Sequence, residues 1–346
     1  MISVRLCLAL WVILCAVQVA RADVTGVDVH VHIEGSPGDG QRGAQAVQRL
    51  LKEMDRLGVE WAILMPPPQA PGQPPAASLE SLEKLRALAP GRLAVAGGGE
   101  TLNRMIHSYR PEQVTPEVRA RFRAEADRLA GAGVAAYGEM AALHLSFHPG
   151  HVFEEASPDH PLFLELSDAA ARHGIPIDLH MEAVPEEMPL PRGFSRSPRN
   201  PPTLHANVAG LERLLAHDRR AVIVWQHVGW DNTGCMTVPL LRRLLQGHPN
   251  LYLALRVEDR PGTLDGQPMP NRILDREGRI QADWSALLRE FPERFVLGSD
   301  EFISAKERGR YPRSFSSTWS WLSQLPAEVA SKIAGGNARR LYRLPR

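Results

Sequence analysis

The sequence predicts an α/β protein built as a (β/α)8 TIM barrel, and three observations predict it. Apolar strand-like runs alternate with segments of helical periodicity, eight times between residues 24 and 341. The runs are continuously apolar rather than alternating, as a parallel sheet buried on both faces requires. Histidines and an aspartate fall at the C-terminal ends of several runs, which is where barrels of this kind carry their chemistry. A doubly wound open sheet is the competing architecture. It does not bring the ends of strands one, five, six and eight around one point as naturally.

The first run, residues 24–32 (VTGVDVHVH), reads as a strand ending in two histidines spaced i, i+2. Strand side chains alternate faces, so Asp28, His30 and His32 point to one side. Helical spacing follows in 44–57 (Val47, Leu50, Leu51, Met54, Leu57), and Gly58 ends it. Strand two is 60–65, stopped by Pro66, Pro67 and Pro68. A Pro-rich loop, 69–77, leads to a helix at 79–88. Strand three is 93–96. The Gly97-Gly98-Gly99 after it lacks the Lys-Ser/Thr of a phosphate loop and reads as a tight exit.

An amphipathic helix at 116–130 precedes strand four, 134–140, and a helix at 161–173 precedes strand five, 175–180, which ends in His180. A Pro/Arg-rich loop runs from 183 to 202. Helix 208–217 leads to strand six, 221–225, with His227 just beyond it. Helix 238–246 leads to strand seven, 251–255, with Arg256 at its end. A polar loop runs to 279. Helix 282–291 leads to strand eight, 295–297, and Asp300 follows. Helices at 317–325 and 327–341 close the chain.

The first 22 residues read as a secretory signal peptide. Arg5 supplies the positive start, 6–20 is almost purely apolar, and Ala20-Arg21-Ala22 is a small-x-small cleavage site. The run is short for a membrane span. Export is therefore expected, with one domain over 23–346 and no membrane attachment after cleavage. Removing Arg5 and Arg21 takes the basic count from 40 to 38 against 39 acidic residues, so the charge moves from +1 to −1. That balance, with no basic run, excludes a nucleic-acid partner. Cys7 and Cys15 leave with the signal, and Cys235 alone cannot form an intrachain disulfide. The expected partner is a small-molecule substrate. The oligomeric state is open, a homo-oligomer included.

Metal-assisted hydrolysis needs three or four protein ligands and an open position for water, whose pKa the metal lowers towards ~7. His30, His32, His180 and Asp300 are the ligand candidates. Asp300 binds the metal, takes the proton from water, or does both. His227 is the candidate acid/base or polarising group. Asp28 is read as orienting a histidine. Arg256 is the candidate substrate contact, because guanidinium pairs well with carboxylates. His144, His148 and His151 in the loop after strand four are expected to line the pocket or lie exposed, with a second metal as the lesser alternative. Arg192, Arg196 and Arg199 read as a solvated loop, Cys235 as a packed residue, and Trp225, Trp230 and Trp284 as core.

The ordered set of motifs resembles the amidohydrolase superfamily and, within it, the amidohydrolase 2 (amidohydrolase-related) family. The matching pieces are Asp28-x-His30-x-His32, Gly138-Glu139, His180, His227-x-Gly229, Gly298-Ser299-Asp300 and Gly336-Asn337-Ala338-x-Arg340-Leu341-Tyr342. They span nearly the whole mature chain. The resemblance implies a distorted barrel of the metal-dependent hydrolase type with one divalent metal, most often zinc. Manganese and iron suit the same donors. It assigns His30, His32, His180 and Asp300 as ligands and His227 as the strand-six catalytic histidine. Glu139 stays open between a metal ligand and a buried, hydrogen-bonded carboxylate. No lysine lies in strand four, which argues against a carboxylated-lysine pair of metals. The reactions implied are hydrolysis of amide, ester and lactone-type bonds and, as the alternative, non-oxidative decarboxylation of an unsaturated or aromatic acid. A non-catalytic metal- or solute-binding barrel is the third reading.

Overall fold

The computed structural model describes residues 25–34, 40–74, 77–257, 263–264, 267–306 and 313–345. The signal peptide expected at 1–22 lies outside the described residues. Eight parallel strands close into a barrel: β1 (Gly26–Ile33), β2 (Val59–Leu64), β3 (Leu93–Gly98), β4 (Ala136–His144), β5 (Ile177–Met181), β6 (Ile223–Val228), β7 (Leu251–Leu255) and β8 (Phe295–Leu297). Closure is made by β8 against β1, where Asp28 stands opposite Leu297. This is the TIM barrel that the alternation of runs predicts. Among the described residues no helix is long and apolar enough to cross a membrane.

The helices follow the strands: α1 (Gly40–Leu57), α2 (Leu79–Arg86), α3 (Pro116–Gly131), α4 (Pro161–His173), α5 (Val208–His217), α6 (Val238–Gly247) and α7 (Ala282–Glu290). Their starts follow local capping chemistry. Thr115 accepts from the Val118 N–H and Thr237 from the Leu240 N–H, each with Pro in the first turn. Their buried faces (Val47, Leu50 and Met54 on α1; Phe122 and Leu129 on α3; Leu211 and Leu214 on α5) cover the outside of the barrel.

A smaller apolar cluster holds Ile63, Met65, Ala96, Val224, Ala254 and Val296, and the C-terminal residues Ala338, Tyr342 and Leu344 join it. The buried Tyr342 hydroxyl donates to Asp178 Oδ1 at 2.7 Å. Asp178 precedes His180 by two residues on β5, so the chain end seals the barrel on the side away from the strand C-termini. Two short segments dress the other end. Glu154–Glu155 pairs antiparallel with the end of β4, and Glu301–Ile303 runs parallel along β1, with Phe302 beside His32.

Candidate metal centre

His30 and His32 leave the same face of β1, as their spacing requires, and their Nε2 atoms lie 3.0 Å apart. The Met65 carbonyl accepts from His32 Nδ1 at 2.8 Å. A carbonyl only accepts, so this nitrogen carries a proton, and Nε2 faces the centre. Asp28 does not orient an imidazole. Its Oδ1 accepts the backbone N–H of His30 (3.0 Å) and of Ser299 (3.1 Å), tying β1 to the turn after β8. That turn carries Asp300, whose own N–H donates to the His30 carbonyl at 3.0 Å.

His227 at the end of β6 and Asp300 after β8 both adopt left-handed backbone, with φ of 62° and 53°. Such a conformation is costly outside glycine and persists where the surroundings enforce it, typically at sites. Asp300 Oδ1 lies 3.4 Å from His32 Nε2 and 3.8 Å from His30 Nε2. Its Oδ2 is gripped by Arg256 and lies 3.7 Å from His227 Nδ1.

Glu139 on β4 is the hub. Its Oε2 lies 3.5 Å from His30 Nε2 and 3.6 Å from His32 Nε2. Its Oε1 accepts from His180 Nδ1 at 2.8 Å and His227 Nε2 at 2.9 Å. Two groups of ligand atoms are close enough to share an ion among the described residues: His30, His32 and Asp300, and His30, Glu139 and His227. His180 joins neither, although the sequence places it with the first. It stands on the far side of Glu139, with Nε2 3.8 Å from Glu182 Oε1.

The charges follow from this packing. Burial opposes ionisation of Glu139, but His30, His180 and His227 outweigh it and hold the carboxyl well below its usual range. Burial likewise opposes ionisation of Asp300. Arg256, then His227 and the β1 histidines, overcome it and hold Asp300 far down. Burial pulls His30 and His180 down, yet their carboxylate neighbours raise them to about 9 and about 10. Burial wins at His227, which falls to about 4. The converging imidazole nitrogens of His30 and His32 and the ionised carboxylates of Glu139 and Asp300 form a donor set that fits a divalent cation.

The centre opens into a pocket of about 600 Å³. Pro67, Phe147, Met236 and Phe302 give it apolar walls. Trp230 lies under Arg256, whose guanidinium sits 4.3 Å from the ring centroid. Trp225 and Trp284 are buried core instead. His144 and His151 line the pocket and His148 does not. The three form no group that could share an ion. Arg192, Arg196 and Arg199 stay off the lining.

Two buried lining carboxylates escaped the sequence reading. Glu182 was legible, because Asp178-x-His180-x-Glu182 repeats the spacing of Asp28-x-His30-x-His32. Glu154 was not. It reaches the pocket only because its segment folds back on β4, where Asn103 donates to its Oε1 at 2.8 Å.

A closed parallel barrel with a His-x-His strand, a strand-five histidine and a strand-eight aspartate converging at one end defines a class, that of the metal-dependent barrel enzymes. The family model Amidohydro_2, described as amidohydrolase, matches residues 27–344, and the chain belongs to this family, which is metal-dependent. Among solved structures, the chain is similar to amidohydrolase 2 from Bifidobacterium longum subsp. infantis (14% identity, 92% of this chain and 99% of that one, TM-score 0.47). It is similar also to a dihydroxybenzoic acid decarboxylase from a Polaromonas species with bound manganese and the inhibitor 2-nitroresorcinol (13% identity, 93% and 97%, TM-score 0.45). No curated protein matches the sequence.

Proposed function

We propose that this chain is an exported metal-dependent hydrolase that cleaves an amide, ester or lactone-type bond of a small molecule. The observation that carries the reading is Asp300, a carboxylate kept ionised by Arg256 between the β1 histidines and the pocket. On this reading His30, His32 and Asp300 hold one divalent ion. Zinc suits the donors best, and manganese and iron suit them as well. A bound ion supplies Lewis-acid polarisation of the substrate and acidifies water. Asp300 takes the proton of the attacking water and returns it to the leaving group. His227 is neutral, and its Nε2–H is engaged by Glu139. Its Nδ1 therefore offers a lone pair, which suits proton exchange with Asp300 rather than polarisation of a carbonyl.

The second reading, decarboxylation of an aromatic or unsaturated acid, draws on Arg256 stacked over Trp230 in an aromatic-walled pocket. Against it stands the ion pair of Arg256 with Asp300, which engages the guanidinium with a carboxylate of the protein itself.

The test is a panel of esters, lactones, amides and unsaturated acids, assayed for incorporation of labelled water and for CO2 release. Hydrolysis is expected, with Asp300→Asn and His227→Ala each lowering kcat by about 10²–10⁴-fold. CO2 release without water consumption selects the lyase. Full turnover by both variants overturns the mechanism.

A further inference from the structure

We propose that Glu182 and Asn232 form a substrate-recognition subsite beside the centre, where Glu182 Oε2 and Asn232 Oδ1 accept hydrogen bonds from a hydroxyl or ammonium group of the substrate. On the reading above, that group belongs to the small molecule whose amide, ester or lactone-type bond is cleaved, so the subsite deepens that reading and rests on it.

The two side chains come from different elements, and both line the pocket. Glu182 directly follows β5, and its backbone is fastened on both sides. Its N–H donates to the Leu143 carbonyl at 3.1 Å, and its carbonyl accepts from the Asn207 amide at 2.8 Å. Asn232 lies in the segment after β6 that also presents Trp230 and Met236 to the pocket. The buried Asp231 carboxylate holds this segment in shape. It accepts the N–H groups of Gly234 (2.9 Å) and Met236 (3.0 Å) and the Asn271 amide (2.6 Å). Thr233 Oγ1 then donates to the Ala183 carbonyl at 2.7 Å, which ties the segment to the residue after Glu182. The backbone on both sides of the pair is thus set before a ligand arrives, the condition under which a few polar groups give specificity.

The hydrogen bonds of the pair do not balance. The Asn232 amide N–H donates to Glu182 Oε1. His180 Nε2 stands 3.8 Å from that same oxygen, beyond hydrogen-bond reach. Glu182 Oε2 and Asn232 Oδ1 are left buried with no hydrogen-bond partner among the described residues. An amide oxygen and a carboxylate oxygen are both acceptors, so the missing partner is a donor. Unpaired buried acceptors are costly and need a reason. Tying the segment to β5 is not that reason, because Thr233 already makes the tie. Only the ring of His180 separates Glu182 from Glu139, with Nδ1 donating to Glu139 Oε1 at 2.8 Å and Nε2 facing Glu182. The donor therefore belongs a few bonds from the bond that is cleaved. Phe147, Trp230 and Met236 give the same pocket apolar surface, which suits a donor carried on a hydrocarbon frame.

Binding without turnover tests the subsite directly, by ligand-observed NMR titration of the protein with benzyl alcohol, benzylamine and toluene. Wild type is expected to bind at least one donor-bearing probe about 10–100-fold more tightly than toluene. The tighter of the two tells a hydroxyl from an ammonium. Glu182→Gln, which puts an amide N–H in place of Oε2, is expected to lose the preference. Asn232→Leu, which removes Oδ1 and covers the case that Glu182→Gln fails to fold, is expected to lose it too. In turnover, kcat/KM for p-nitrophenyl 3-hydroxybutyrate or 3-aminobutyrate should exceed that for the butyrate by a similar factor, chiefly through KM, and Glu182→Gln should abolish the ratio. A Glu182 that served only to orient His180 would slow all three esters together and keep the ratio, and that result overturns the proposal. Equal binding of the three probes by wild type also overturns it and leaves the proposed function standing. Donor-selective binding with no hydrolysis anywhere in the panel above overturns the hydrolase reading and leaves the subsite.

Discussion

Glu139 and Glu154 line one pocket, are both buried, and titrate in opposite directions. The charge of His30 and the hydrogen bonds from His180 and His227 hold the Glu139 carboxyl down. Glu154 faces His107 at 3.9 Å and His144 at 3.6 Å, and burial lowers both of these histidines so that they stay neutral. Burial therefore dominates at Glu154 and raises it to about 7, against the Asn103 hydrogen bond. The folded state then binds this proton more tightly than the unfolded chain, whose glutamate titrates at 4.5. Stability from Glu154 is full below pH ~4.5, falls as pH rises to ~7, and is flat above that. The gap amounts to about 3 kcal/mol. Urea unfolding of wild type and Glu154→Gln across pH 4.5–8 should show the wild type losing about that much relative to the variant. Parallel curves for the two proteins would remove this account of Glu154. The contrast also shows what a single residue discloses in sequence. His30 and His32 were legible because their relation is local and set by strand parity. The titration of Glu154 depends on partners at 103, 107 and 144, which only the fold brings near.

At the scale of elements, the bounds that match the sequence reading are those set locally: α4 and α5 begin and end where helical periodicity says. The mismatches have tertiary causes. β4 was expected over 134–140 and extends to His144, because Glu154–Glu155 pairs with its end. The single closing helix expected at 327–341 is instead Ala327–Ser331, a wide turn at Lys332–Gly336, and Asn337–Leu341. At Gly335 the backbone packs so closely on the Thr25 carbonyl that a Cβ would lie 2.3 Å from that oxygen. The wide turn allows this approach. Asn337 then locks the segment, its amide donating to the carbonyls of Pro292 and Phe295 at 2.8 Å each. Asn337→Ala leaves both carbonyls unpaired at the base of β8 and should cost about 2–3 kcal/mol. A lower urea midpoint with an unchanged slope is the expected result. No change in midpoint would show that the segment is held by its apolar contacts alone.

At the scale of the molecule, the order of motifs along the chain made the barrel and its working end readable. The substrate stayed unreadable. The pocket walls come from segments beyond the strand ends, such as those bearing Phe147, Trp230 and Phe302, whose positions depend on packing rather than on periodicity. The same architecture fixes how metal couples to stability. The candidate ligands run from His30 to Asp300, so only the closed barrel gathers them and the unfolded chain offers no comparable site. An ion that binds the folded state alone stabilises it by about 2.7 kcal/mol at one hundred times its Kd. Unfolding entropy of about 2.1 cal/mol/K per residue makes ~0.7 kcal/mol/K for a chain of 346 residues. Each bound ion should therefore raise Tm by about 4 °C at that concentration, and a chelator should take the gain away. Calorimetric scans of the metal-free protein and of protein titrated with Zn2+ test this, with His30→Ala/His32→Ala as the control. The double variant should lose the rise that belongs to the β1 position. An equal rise in both proteins would mean that the stabilising ion binds somewhere other than the end of β1.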